Sequence, residues 1–351
     1  MRRFGLLLRN EFKLFRTAVP IHLVAILQPT LMYVLMAVIL VHPTFDMNVA
    51  RPATEEGQAL VDAMRQVGSP IGLPYINPIL VDWDGSNVDR QVVVVEDRQG
   101  SPTAVQYFGL IDSNIVKNYR NRLTAAALRL WDGELAGRAL VVEEHPWLPH
   151  DVPYPVYFGL AMLPLTAFLA ASLLGGILTA QEFEFGTIVE YRLAPAAPTL
   201  IVGARLARLV LLAYLSAAVL LLAVGLVNGA WPSPVWPVAL VLLPVALIAG
   251  CLGILAGLIL RKSIPAFLVG LVASFVGWIL GSAFGLAAGF SGWYERISRL
   301  TPFTHAVELL FPCYYGTQIG APLVSALVLA LMSVAMLAIT LYAYRWRLAA
   351  R

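Results

Sequence analysis

Apolar residues gather into six runs long enough to cross a bilayer, near residues 21–42, 155–180, 205–227, 235–260, 264–287 and 320–344. A helix needs about 20 such residues to span the hydrocarbon, where its backbone groups find partners only within the helix itself. Six runs predict an all-α polytopic membrane protein with both termini on one side. Ahead of the first run, Phe4, Leu7, Leu8, Phe12 and Phe15 share one helical face. Arg2, Arg9, Lys13 and Arg16 occupy the opposite one, which describes an amphipathic interfacial helix over 1–19. Glu11 falls inside the apolar face, and snorkelling or a local arginine pair explains it more simply than contact with a partner. The stretch 20–42 reads as a retained first span, not a signal peptide: it has full spanning length and no small-x-small cleavage site follows.

Between the first two runs the pattern changes. Alternating or apolar stretches at 79–83, 91–96, 104–108 and 139–142 predict strands. Ile115, Val116, Tyr119, Leu123, Ala126 and Leu130 keep a 3.6 period and predict a helix over 112–135. A second helix over 55–67 is expected to be capped by Thr54 and stopped by Gly68. Residues 43–154 are therefore expected to form an α/β domain inserted between spans one and two.

Composition agrees with the pattern: 59% of residues are hydrophobic and 13% charged, against about 25% charged in soluble domains. Charge placement adds orientation. Arg2, Arg3, Arg9, Lys13, Arg16, Arg192, Arg205, Arg208, Arg261, Lys262, Arg345, Arg347 and Arg351 fall in the tails and loops of one side. The short loops of the other side hold only Arg296 and Arg299. The positive-inside rule puts both termini in the cytoplasm and residues 43–154 outside.

Where the second run stops, the chain reads Gln181 Glu182 Phe183 Glu184 Phe185 Gly186 Thr187 Ile188 Val189 Glu190 Tyr191 Arg192 Leu193 Ala194 Pro195. A carboxylate at the bilayer centre costs about 3 kcal/mol on insertion scales, so Glu182 and Glu184 mark a membrane exit. Gly186 permits a sharp turn, Thr187 and Glu190 have capping-box spacing, and Pro195 ends the helix that follows. A short helix over 187–194 is expected to project from the span into water.

This segment resembles the connection between spans two and three of ABC-2 type transporter permeases. Thr301 Pro302 Phe303 Thr304, before the last run, is similar to that family's second common signature. The six-span layout matches too, so the resemblance covers the whole chain apart from about 43–154. It implies a subunit of the bacterial plasma (inner) membrane, with 187–194 as a coupling helix seated in a groove of a separate ATP-hydrolysing subunit. Glu182, Glu184, Gly186, Thr187, Glu190 and Arg192 would form that joint, and Phe185 departs from the polar residue often found at its position. The resemblance further implies a dimer with a second permease copy or paralogue. Segment 289–318 would dip back into the outer leaflet, with Thr301, Pro302, Phe303, His305 and Glu308 at an outer gate. ATP and Mg would bind the partner subunit, leaving no cofactor in this chain, and the activity would be efflux of a drug or other hydrophobic compound.

Small residues are the other organised signal. Gly277, Gly281, Gly285 and Gly289 recur every four residues in span five, and Gly175 and Gly176 follow Ala171 and Ser172 in span two. Such stripes let helices approach closely. They fit packing within one subunit, and the resemblance favours spans two and five meeting their symmetry mates around a central path.

Other chemistry is sparse. A Walker A loop places Lys after Gly, whereas Lys13, Lys117 and Lys262 follow Phe12, Val116 and Arg261, so this chain is not expected to be its own ATPase. Cys251 and Cys313 have neither zinc nor redox spacing. His145 and His150 lie near Glu143, Glu144 and Asp151, but Pro146, Pro149 and Pro153 favour an irregular linker over a metal site. His305 and Glu308, three residues apart, are expected to share a local hydrogen bond. An ion-coupled secondary transporter would keep ionisable groups at mid-membrane depth, and a membrane enzyme needs convergent acids and bases. Neither pattern is present, and nothing points to nucleic acid. An ATP-driven machine passing force to an outer protein partner stays open through residues 43–154.

Overall fold

The computed structural model describes residues 2–17, 19–41, 44–68, 74–85, 91–98, 101–108, 113–134, 154–193, 197–281, 283, 292–316, 318 and 320–349. The chain opens with α1 (Arg2–Thr17) and α2 (Val19–Val41). It continues through β1 (Phe45–Ala50), α3 (Glu55–Gln66), β2 (Ile76–Val81), β3 (Gln91–Arg98), β4 (Ser101–Phe108) and α4 (Ser113–Glu134). Then follow α5 (Tyr154–Glu184), α6 (Ile188–Leu193), α7 (Pro198–Asn228), α8 (Trp236–Leu260) and α9 (Ser263–Leu280). The last are α10 (Gly292–Ser298), α11 (Pro302–Tyr315) and α12 (Pro322–Ala349). Two compact units result, Met1–Val38 with Leu148–Arg351, and Ile39–Trp147.

In the first unit α2, α5, α7, α8, α9 and α12 are long and apolar enough to cross a membrane. That is the architecture of a polytopic helical membrane protein. The long α5 lies at its centre, packed on α7, α8, α9 and α11, and its most apolar stretch is completely buried. Small residues make this possible. A Cβ on Gly175 would stand 3.1 Å from the Gly250 carbonyl of α8, and one on Gly176 the same distance from the Ala266 carbonyl of α9. Ser172 Oγ meets Ser274 Oγ at 3.1 Å, and Trp278 Nε1 donates to the Ala161 carbonyl at 2.9 Å. In lipid the tails are as apolar as the side chains, so close van der Waals contact and such bonds carry the packing.

The described part of the small-residue stripes packs within the chain, one of the two readings their spacing allows. Gly175 and Gly176 are filled by α8 and α9 of the same chain, and Gly277 and Gly281 by Phe303 and Thr301 of α11. A central helix enclosed by four neighbours keeps no free face along its apolar length. Helix α9 ends at Leu280 with Gly281 as its C-cap, short of the expected 287. Gly285 and Gly289 lie outside the described residues.

The second unit is a four-stranded sheet in the order β2-β1-β3-β4. Strand β1 pairs parallel with β2 and β3, and β3 with β4 antiparallel. Met47, Val49, Leu60, Val61, Met64, Ile76, Val93 and Ala126 form its core with α3 and α4. Thr54 Oγ1 accepts from the Gly57 amide and caps α3, as its position predicts, and Val67 stands at the other end. Strand β1 was not expected: Asp46 and Asn48, residues depleted in strands, alternate with buried Met47 and Val49 and blur the signal. Residues 139–142, His145 and His150 lie outside the described residues.

Candidate functional site

Helix α5 runs on past the apolar stretch to Glu184, so the Glu182 and Glu184 carboxylates stand on its last turn. Gly186 then breaks the helix at φ +74°, in the left-handed region that glycine enters without strain. Its Cβ position is empty within 4 Å, so conformation and not crowding demands glycine there. After the turn, α6 spans Ile188–Leu193; Thr187 precedes it, its carbonyl accepting from the Glu190 amide at 3.0 Å. Ala194 and the Arg192 side chain lie outside the described residues.

The two glutamates part company. Glu184 is exposed and turns toward α9, where it accepts from both the amide and the hydroxyl of Ser263. A carboxylate on the first free amides of a helix is a favourable cap. Glu182 is buried and pairs with Arg205 of α7. Arg205 also donates to Thr179 Oγ1 at 3.1 Å and lies 3.7 Å from Glu11 Oε1 of α1. Arg208 completes the group, its Nη1 reaching Glu11 Oε2 and the Glu11 carbonyl, each at 2.8 Å. The rings of Tyr191 and Tyr344 lie 5.7 Å from the Arg205 guanidinium. Two acids and two guanidiniums, all buried, thus tie α1, α5 and α7 together, with α6 and α12 lending aromatic cover. Burial, with the Glu182 charge adding, pushes the Tyr191 phenol up to about 12.

Sequence reasoning missed this cluster by assigning Arg205 and Arg208 to a loop. They lie within α7, which begins at Pro198. The readable signal was their i, i+3 spacing at the edge of an apolar run, since a guanidinium within an apolar helix demands a partner. Glu11 neither snorkels nor pairs locally: its arginines come from α7, Arg208 lying 197 residues on.

Beside the cluster is a cavity of about 270 Å³ lined by Glu11, Glu182, Phe185, Glu190, Tyr191 and Arg205, among others. Val189 and Leu193, four residues apart on α6, are 50% and 81% exposed, and Phe185, in the turn before Gly186, is 75% exposed.

The second signature also builds a defined structure. Thr301 is the N-cap of α11, accepting from the Thr304 amide at 3.5 Å, and Pro302 takes the first helical position, where a missing N–H costs nothing. Phe303 drops into the notch left by Gly277 and Gly281 and meets Phe168, ring centres 5.0 Å apart. His305 and Glu308 do not bond to each other. Both reach Ser325 of α12, His305 through Nδ1 at 3.1 Å and Glu308 through Oε2 at 2.6 Å. Ser325 gave no signal in the sequence, being one hydroxyl near the start of an apolar run.

Among the described residues no group of three or more His, Cys, Asp or Glu could hold a metal ion. The fold and its buried charge define the class, a multi-pass helical membrane protein. No family model, curated protein or solved structure matches the chain.

Proposed function

We propose that the chain is the membrane subunit of an ABC-2 type exporter, working as a dimer with two copies of a separate ATP-hydrolysing subunit. Its cargo would be a drug or other hydrophobic compound. The observation that carries this reading is α6: a six-residue helix beyond the end of a span, with Val189 and Leu193 exposed on it and Phe185 exposed at the turn that leads to it. Apolar side chains grouped this way mark a protein or membrane contact, and this reading assigns the contact to the ATP-hydrolysing partner. A partner that grips α6 differently in its ATP-bound and ATP-free states would bias the membrane helices by that difference in contact energy. The path for such a push is the ion cluster, which fastens the end of α5 to α7 and α1. ATP and Mg stay on the partner. In this reading both termini are cytoplasmic in a bacterial plasma membrane, and α10 and α11 border an outer gate.

The test is co-expression with the ATPase encoded nearest to it. A stable complex that hydrolyses ATP is expected, while the purified chain alone shows no turnover. Phe185→Asp with Leu193→Asp should release the ATPase and leave the yield of folded chain intact. Hydrolysis by the isolated chain, or a complex that survives both substitutions, overturns the reading. The separate core of the inserted unit favours one other reading, force transmission to an outer protein partner. Reconstituted complexes that turn over ATP yet leave hydrophobic dyes undisplaced across the bilayer would favour it.

A further inference from the structure

Three polar side chains where α11 meets α12 are almost wholly buried: His305 is 3% exposed, Glu308 5% and Ser325 1%. Their hydrogens can be counted. His305 Nε2 lies 2.9 Å from the Arg299 carbonyl, Nδ1 lies 3.1 Å from Ser325 Oγ, and Ser325 Oγ lies 2.6 Å from Glu308 Oε2. A carbonyl only accepts, so Nε2 carries a hydrogen. An ionised carboxylate also only accepts, so Ser325 gives its single hydroxyl hydrogen to Glu308. Ser325 then has nothing to donate to His305, and Nδ1 must carry a hydrogen as well. In that arrangement the ring is an imidazolium. One other arrangement satisfies every contact: Glu308 is protonated and donates to Ser325, which donates to a neutral His305. Both arrangements hold one proton more than a neutral imidazole and a carboxylate. Without it, two hydrogens serve three contacts, and two acceptors face each other at one of them.

The permanent charge close to Glu308 is shared and partly exposed. Glu308 Oε1 is 3.6 Å from Arg299 Nη1, but Arg299 is partly exposed and already held by Glu295 at 2.9 Å. Arg296 is the remaining charge of that short helix. Elsewhere around α11, α9 offers no ionisable residue and α8 only Cys251. Helix α5 has its two glutamates at its far end, with Tyr154 and Tyr157 at its start, and Tyr342, Tyr344, Arg345 and Arg347 lie in the last turns of α12. Besides Glu308, α11 itself carries only Cys313, Tyr314 and Tyr315 beyond the histidine. A buried carboxylate sharing one half-exposed guanidinium calls for a second positive charge.

We propose that His305, Ser325 and Glu308 form a binding site for one proton, relayed across the serine hydroxyl, that latches α11 to the beginning of α12. When pH rises and the proton leaves to water, the shorter contact to the Arg299 carbonyl keeps the ring's remaining hydrogen on Nε2, one of the two bonds to Ser325 becomes a contact between lone pairs, and the latch loosens. Nothing in this depends on whether the chain moves a cargo.

The experiment uses the full chain in lipid at pH 7.5, where a free imidazole is mostly neutral. Solid-state NMR of ¹⁵N-histidine reads the ring, its signal identified by its loss in His305→Gln, and infrared spectroscopy reads the carboxyl band lost in Glu308→Gln. A charged ring beside an ionised Glu308, or a neutral ring beside a protonated one, supports the site. A neutral ring beside an ionised Glu308 overturns it. In Glu308→Gln the amide donates to Ser325, so the ring should be neutral; a ring that stays charged there shows that the relay does not set its state. Ser325→Ala checks the latch with no change of charge. The difference in Tm between wild type and Ser325→Ala should shrink from pH 7.5 to pH 9.5, and a constant difference overturns the latch.

Discussion

Two ends of the same helical unit keep buried carboxylates in different ways. At the end of α5, Glu11 and Glu182 face two guanidiniums, Arg205 and Arg208, drawn from helix α7. At the start of α12, Glu308 faces a serine, and behind the serine a histidine. Guanidinium keeps its charge at any pH a cell meets, whereas imidazole does not. The first arrangement is a fixed joint between the end of α5, α7 and α1. The second is conditional. Placing both along one helix, with Tyr344 over the first cluster and Ser325 in the second, lets α12 be held firmly at one end and releasably at the other.

The sharpest way to break this contrast is to remove the fixed joint. Arg205→Ala leaves Glu182 buried with no cation of its own, and breaking a buried pair from one side costs about 3–5 kcal/mol. The variant should express poorly and lose most of its thermal stability in detergent. A Tm within two or three degrees of wild type would show that the cluster is not the joint.

Next in size is the notch that seats the conditional end. A Cβ on Gly281 would stand 2.6 Å from Phe303 Cβ, and one on Gly277 2.7 Å from Phe303 Cε2. Gly277→Ala should therefore push α11 away from α9 and cost about 1–3 kcal/mol, the range for overpacking. Hydrogen exchange should quicken in α11 while α6 and the end of α5 stay protected. Quickening at both ends would mean the two are one cooperative block.

Much of the fold was legible because bilayer-length apolar runs are a strong signal, and the spans differ from expectation mainly at their ends. Thr54 and Gly186 were legible for another reason: caps and left-handed turns are local, so neighbours in sequence specify them. What stayed hidden was long-range. Nothing local says that Glu11 will meet Arg208, 197 residues away, or that Ser325 will stand between His305 and Glu308. The glycine stripe was legible as close packing, but its partner was not, because a stripe states how near a neighbour comes and not which neighbour it is.

Gly186→Val returns to the fixed end with a smaller effect. The site is open, so the cost is conformational, about 1–2 kcal/mol for holding a residue with a Cβ in the left-handed region. It falls on the turn alone, outside the ion cluster. Yield and Tm should change little. Under the proposed function, ATP hydrolysis in the complex should persist while transport fails, since α6 would leave its angle to α5. Normal transport would mean that the turn is only a connection.

Thr301→Ala is the mildest test and falls at the conditional end. It removes the side chain that accepts from the Thr304 amide and donates to the Ser298 carbonyl at 2.8 Å, a cap worth about 1 kcal/mol. Thr304 Oγ1 also reaches the Ser298 carbonyl at 2.7 Å and its hydroxyl at 2.6 Å, so α11 keeps ties to the end of α10 and should stay folded. What should change is the first turn of α11, where His305 is aimed at the Arg299 carbonyl. If the latch needs that aim, the pH dependence of stability should flatten in Thr301→Ala by part of the amount seen in Ser325→Ala. A full wild-type pH profile in a variant whose first turn exchanges faster would place the conditional element wholly in the Ser325 contact, and leave the cap as local stabilisation.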